Sequence, residues 1–223
     1  MTGSKTAAKL VRRKAKTSLA DQAYEALKRL IITCELRPGE YVNESQLCET
    51  LGLGRTPVHQ AISKLHQEEF VEVMPRKGIF VRPISLDEYY ALDETRLILE
   101  PRAIRLAVER ASDSEKAALR DLLEREKKTR AARDRLGLFM CDRDFHFLLA
   151  RATHNPVLEK MLTSAYERSL RVWFMSTADR PVRETEDIHD RMVDAIMKRD
   201  ADTASDLMRE HILSSRALTL RTD

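Results

Sequence analysis

Four side chains in the second half of the chain, Asp142, His146, His189 and His211, have the types and spacing of a cation site. If residues 135–153 form a helix, Leu138, Phe145, Leu149 and Ala152 mark its apolar face, and Asp142 and His146 lie on that face one turn apart. His189 shares a stripe with Met192, Val193 and Ile196, and His211 with Leu207, Met208 and Leu218. One carboxylate and three imidazoles from three helices then point at a common interior. A carboxylate buried alone is costly, so Asp142 must be paired, hold a metal or face a solvated cavity. Three nitrogens and one oxygen suit a divalent metal, zinc first and nickel or manganese as alternatives. Each inward His taken singly can also be a satisfied core residue. Arg96 lies on a stripe with Leu92, Leu99 and Ala103. Directed inward, it would either hold a small carboxylate shared with a metal or pair with Glu100 one turn on. His154, in a loop, reads as surface or cavity rim, and His66 as a solvated surface residue.

A second set of residues has the chemistry of nucleic-acid contact. Arg55, Thr56, His59, Gln60 and Lys64 turn outward from a helix of about 57–68 whose inner face carries Val58, Ala61, Ile62 and Leu65. Two β-prone runs, 70–74 and 79–81, flank Pro75-Arg76-Lys77-Gly78, giving a hairpin with a basic tip. Upstream, Ser18 caps a helix with Ala23, Leu27, Leu30 and Ile31 inside, Arg37-Pro38-Gly39 ends it, and Asn43 caps a short second helix. Thr56-Pro57 supplies a cap and a first helical residue for the third. Helix, short helix, tight turn, helix and hairpin is the order of a winged helix-turn-helix, whose third helix enters the major groove. Arg55 stands where a guanidinium could bond guanine in bidentate fashion. A protein-docking module is the alternative for the same pattern.

These two sets need a mainly helical scaffold, and the composition supplies it. The 223 residues include only 6 Gly and 7 Pro, with 43% apolar and 34% charged side chains. From residue 86 onward the pattern is helical, in segments 86–100, 102–111, 113–132, 135–153, 156–177, 182–199 and 201–219, with Pro101 predicting a kink or break. Ser85 with Glu88 and Ser112 with Glu115 have capping-box spacing, and Asn155-Pro156 starts a further helix. No apolar run approaches the ~18–20 residues that cross a bilayer. The 3 Cys (Cys34, Cys48 and Cys141) are widely spaced, which excludes a disulfide framework and predicts a cytoplasmic protein. The formal charge of +3 is unevenly spread: residues 1–85 carry 14 Lys/Arg and 9 Asp/Glu, residues 86–223 carry 25 and 27. Six of the basic residues lie in the first sixteen positions, which read as a flexible arm.

The stretch Leu36-Arg37-Pro38-Gly39-Glu40, then Leu51-Gly52-Leu53-Gly54-Arg55-Thr56-Pro57-Val58, resembles the DNA-binding domain of the GntR family of bacterial transcription regulators. His59-Gln60 stands where that family commonly has Arg-Glu, and the family Arg contacts DNA, so a changed base contact is expected there. Asp142-Arg143-Asp144-Phe145-His146, Asn155-Pro156-x-Leu158, His189 and His211 resemble the FCD effector domain of the FadR-type branch, as does Arg96-Leu97-Ile98-Leu99-Glu100-Pro101. The resemblance implies that Asp142, His146, His189 and His211 bind a divalent metal at the floor of a ligand cavity, and that the effector is a small organic acid or sugar acid.

The expected protein is mainly α: a basic arm (1–16), a winged helix-turn-helix with Arg55, Thr56, His59, Gln60, Lys64, Arg76, Lys77 and Gly78 toward DNA (17–83), and an all-helical effector-binding and dimerisation domain (84–220). It is expected to be a homodimeric, ligand-responsive regulator, steric repression being the commoner mode in the family it resembles. Two alternatives are a metal-dependent hydrolase with an appended binding module and a regulator whose metal is purely structural. Against the hydrolase, no general base stands apart from the ligand set and no Gly-x-Ser-x-Gly nucleophile motif occurs.

Overall fold

The structure, a computed structural model, describes residues 17–176 and 188–219. The expected arm (1–16) and residues 182–187 of the expected 182–199 helix lie outside them.

The first unit is α1 (Leu19–Ile32), β1 (Tyr41–Val42), α2 (Glu44–Leu51), α3 (Arg55–Gln67), β2 (Val71–Met74) and β3 (Gly78–Val81). Ser18 accepts a hydrogen bond from the Asp21 N–H, and Asn43 accepts from Ser45 and Gln46, so both expected caps form. α3 starts earlier than its Thr-Pro signal predicts. Its cap is Gly54, with no side-chain bond, and Arg55 and Thr56 are in the first turn. The wing is a three-stranded antiparallel sheet of order β1-β3-β2, with Tyr41 opposite Phe80 and Met74 opposite Gly78. β1 has only two residues, too short to leave a period-2 signal, and is held by its pairing to β3. Gly78 sits at φ 107°, where a Cβ would meet the Tyr41 ring at 2.5 Å, so only glycine closes this turn.

The second unit is helical: α4 (Leu86–Arg110), α5 (Asp113–Ala131), α6 (Arg135–Ala152), α7 (Pro156–Ser176), α8 (Ile188–Lys198) and α9 (Ala201–Thr219). Ser112 and Glu115 form a complete capping box, and Asn155 accepts from the Val157 and Leu158 N–H groups. The break predicted at Pro101 does not occur, because α4 is continuous through it. Pro101 is buried, and packing of α4 on α6, α7, α8 and α9 outweighs the one backbone bond proline cannot donate. The bundle core joins Ile104, Leu119, Phe145, Leu149, Met192, Ile196 and Met208. The core of the winged helix does not close on itself. It runs on into α6 and α7 through Phe139, Tyr166 and Leu170.

Candidate metal centre and nucleic-acid face

α6 lays Phe145 and Leu149 into the bundle core, and the helical period carries Asp142 and His146 to the same side. α8 buries His189 with Met192, Val193 and Ile196, and α9 turns His211 inward beside Leu207, Met208 and Ile212. The side chain of Leu218, expected on that stripe, lies outside the described residues. The four groups converge: one ligand atom from each lies within 4.8 Å of the others. His146 Nε2 is 3.1 Å from His211 Nε2, and Asp142 Oδ1 is 3.4 Å from His189 Nε2 and 3.5 Å from His211 Nε2. Ligands about 2.0–2.1 Å from one tetrahedral zinc stand about 3.3 Å apart, close to these three separations.

Two of the three rings are anchored on their far sides. His146 Nδ1 lies 2.7 Å from Glu100 Oε2, and His189 Nδ1 lies 2.9 Å from Glu126 Oε2. A carboxylate at Nδ1 keeps the proton there and turns the Nε2 lone pair to the centre. His189 Nε2 is buried and makes no hydrogen bond, as a ring nitrogen reserved for a ligand would be. Tyr166, stacked on His146 at 4.3 Å, donates its hydroxyl to Asp142 Oδ2. Burial works against ionised Asp142, but the three surrounding imidazoles hold it far below the usual carboxylate range. Burial likewise opposes a charge on His189, yet the nearby carboxylates of Asp142 and Glu126 raise it to about 9. Burial dominates at His211 and lowers it to about 3. A chelating set of three neutral-capable nitrogens and one permanent carboxylate is the donor chemistry of a borderline divalent cation.

Arg96 takes the second of its expected settings, the pair with Glu100. Its Nε bonds Glu100 Oε1 at 2.5 Å, so it is first a structural partner, and its guanidinium stacks over the Tyr166 ring at 4.8 Å. It also lines a cavity beside the centre, with Asp142, Tyr166, Ser169, Trp173 and His211. The cavity is small, about 20 Å³. Sequence reasoning misses Glu126 and Tyr166, and names Glu100 only as a partner for Arg96. Glu126 reads as an ordinary helical acid, and its only signal would have been a stripe shared with inward residues. His154 is half exposed, pairs with Glu115 and takes no part in the centre. His66 is exposed, with Nδ1 3.0 Å from the Val71 carbonyl oxygen.

On the winged helix, Arg55, Thr56, His59, Gln60 and Lys64 are all exposed along one side of α3. Arg55 and His59 side chains are 86% and 71% exposed, free to reach a groove. Glu44 from α2, not foreseen from sequence, sits between them with Oε1 3.6 Å from both Arg55 Nε and His59 Nδ1. Lys64 bends back, its Nζ 3.5 Å from the Tyr24 ring centroid, and so is partly committed to α1. Arg76 and Lys77 are exposed at the wing tip, next to Gly78. Among the described residues no helix is long and apolar enough to cross a membrane.

Comparison with known proteins agrees with both halves. The family described as bacterial regulatory proteins, gntR family, matches residues 19–81, and the FCD domain matches residues 91–214. The Nta operon transcriptional regulator of Aminobacter aminovorans is 38% identical over 62% of this chain and 66% of its own length. The transcriptional repressor GlaR of Escherichia coli is 28% identical over 86% of this chain and 91% of its own length. Among solved structures, E. coli McbR/YncC superposes with a TM-score of 0.82 at 22% identity, covering 92% of this chain and 98% of that one, which supports the fold. With a gntR-type winged helix followed by an FCD bundle, the chain belongs to the GntR family of DNA-binding transcription regulators, a family of regulators and not of enzymes.

Proposed function

We propose that the helical domain senses a small carboxylate through a divalent metal, most simply zinc, and that this controls operator binding by the winged helix. The observation that carries the reading is the convergence of His146, His189 and His211 Nε2 with Asp142 Oδ1, the two Nδ1 atoms being held by Glu100 and Glu126. When bound, the metal would supply Lewis acidity toward carboxylate and hydroxyl oxygens. Arg96, already neutralised by Glu100, lines the cavity and would orient such an anion through its remaining N–H groups. Nickel and manganese suit the same donors. On the DNA side, Arg55, Thr56, His59 and Gln60 would read base edges, with Lys64, Arg76, Lys77 and Gly78 at the backbone. The working form is a cytoplasmic homodimer whose two recognition helices match a palindromic operator, and relatives called repressors support repression as its mode.

The test is a thermal-shift screen of small carboxylic acids against zinc-loaded and chelator-treated protein, followed by gel shifts on a selected operator. An acid that raises Tm only in the metal-loaded form and releases DNA supports sensing. If His189→Ala unfolds the bundle and no acid shifts Tm, the metal is structural and the sensing reading falls.

A further inference from the structure

The seam between the winged helix and the bundle holds charge that neither DNA contact nor metal binding uses. Lys28 of α1 is buried, with 4% of its side chain exposed, and pairs with Glu167 of α7, which is equally buried. Lys28 Nζ also donates to the Tyr24 hydroxyl at 2.5 Å and to Glu68 Oε2 at 2.7 Å, and lies 4.8 Å from the Phe70 ring centroid. Glu167 in turn binds Arg143 of α6 at 3.1 Å. Just beyond the recognition helix, Glu69 accepts from Arg82 at 2.6 Å and sits 2.8 Å from Arg168 of α7. Both clusters tie the winged helix to consecutive residues of one helix.

That helix also walls the metal-side cavity. Tyr166, Ser169, Leu170 and Trp173 line it, and Glu167 and Arg168 stand on the neighbouring stripe. The cavity has room for about one water molecule, so a molecule of several heavy atoms enters only if its walls part. Tyr166 links the two directly, donating to Asp142 while its ring joins the winged-helix core.

We propose that the buried Lys28–Glu167 pair latches the winged helix to α7, so that occupancy of the Asp142 site, passed through Tyr166 and α7, sets how firmly the DNA-binding unit is held. The latch rests on the seam geometry alone, and the coupling rests on the metal reading above. A buried pair is suited to this role because parting it takes from each desolvated charge its most buried partner, leaving Lys28 only the half-buried Glu68 and Glu167 only Arg143.

Hydrogen–deuterium exchange of the full chain tests both parts. Glu167→Gln and Lys28→Gln are each expected to speed exchange in α1 and α3 by about tenfold to a hundredfold while α5 and α8 stay protected. Acrylamide quenching of Trp173, the single tryptophan, which stacks on Phe139 in the seam, should rise in parallel. If either variant fails to fold, K28M/E167L, which leaves neither partner of the pair charged, takes its place. Unchanged exchange in α1 and α3, or equal loosening of the whole bundle, overturns the latch. In wild type, Zn2+ alone should slow exchange in α1, and Glu167→Gln should abolish that response. Zn2+ that binds by calorimetry without affecting α1 overturns the coupling. Zn2+ that fails to bind overturns the metal reading and the coupling with it, while the variants still decide the latch.

Discussion

The orientation of the His146 and His189 rings depends on what stands behind them. His189 is set by Glu126 on α5 as much as by its own helix, since the carboxylate fixes which nitrogen faces the centre. His189→Ala should therefore abolish tight Zn2+ binding, and Glu126→Gln should weaken it about 10–100-fold, both read by competition with a chromophoric chelator. Equal affinity in E126Q would show that the ring needs no outer partner. On the recognition helix, Arg55 is held only loosely, at 3.6 Å from Glu44, and its fork is free for a base. Arg55→Ala is expected to cost about 1–3 kcal/mol on the best operator and to relax preference at one base position. A uniform loss across all sequences would reassign Arg55 to a phosphate.

Helix termini behave as local chemistry dictates. Burial would raise the Glu115 carboxyl, but the Ser112 hydroxyl and backbone N–H, with His154, hold it at about 2. A carboxylate lowered from its ordinary value of about 4.3 stabilises the fold above that pH, and the contribution is lost as pH falls through about 2. Ser112→Ala should cost about 1 kcal/mol at neutral pH, and its gap in Tm from wild type should narrow at about pH 3, measured by calorimetry. A gap independent of pH would place the loss in packing instead. α4 shows the limit of local rules: Pro101 signals a break, yet a long helix packed on four others keeps its course.

Across the whole molecule, the winged helix and the bundle share one apolar surface through Phe139, Tyr166 and Leu170, reinforced by buried charge at the seam. The charge distribution adds a prediction of its own. Residues 1–16 carry six Lys/Arg and no acid, so their deletion should flatten the salt dependence of DNA binding and spare sequence preference. The log–log slope should shrink by about 0.9 for each phosphate that the arm neutralises. A slope equal to wild type in salt titrations would place the non-specific affinity in the folded unit.

Sequence alone determined what is periodic or local. Helical spacing placed Asp142 with His146, and His189 with Met192, on inward stripes, because a helix repeats its face every turn whatever surrounds it. Ser18, Asn43, Ser112 and Asn155 announced their helix starts because capping is a bond over three residues. The tertiary structure decided what depends on a partner far along the chain. β1 exists only through β3, and α4 stays whole through Pro101 only by packing. Arg96 became at once a partner of Glu100 and a cavity wall. Glu126, Glu44 and Lys28 carry no periodic signal that separates them from solvated charges. Their roles come from helices packed side by side, since an ion pair is chosen by distance in space and not by spacing in sequence.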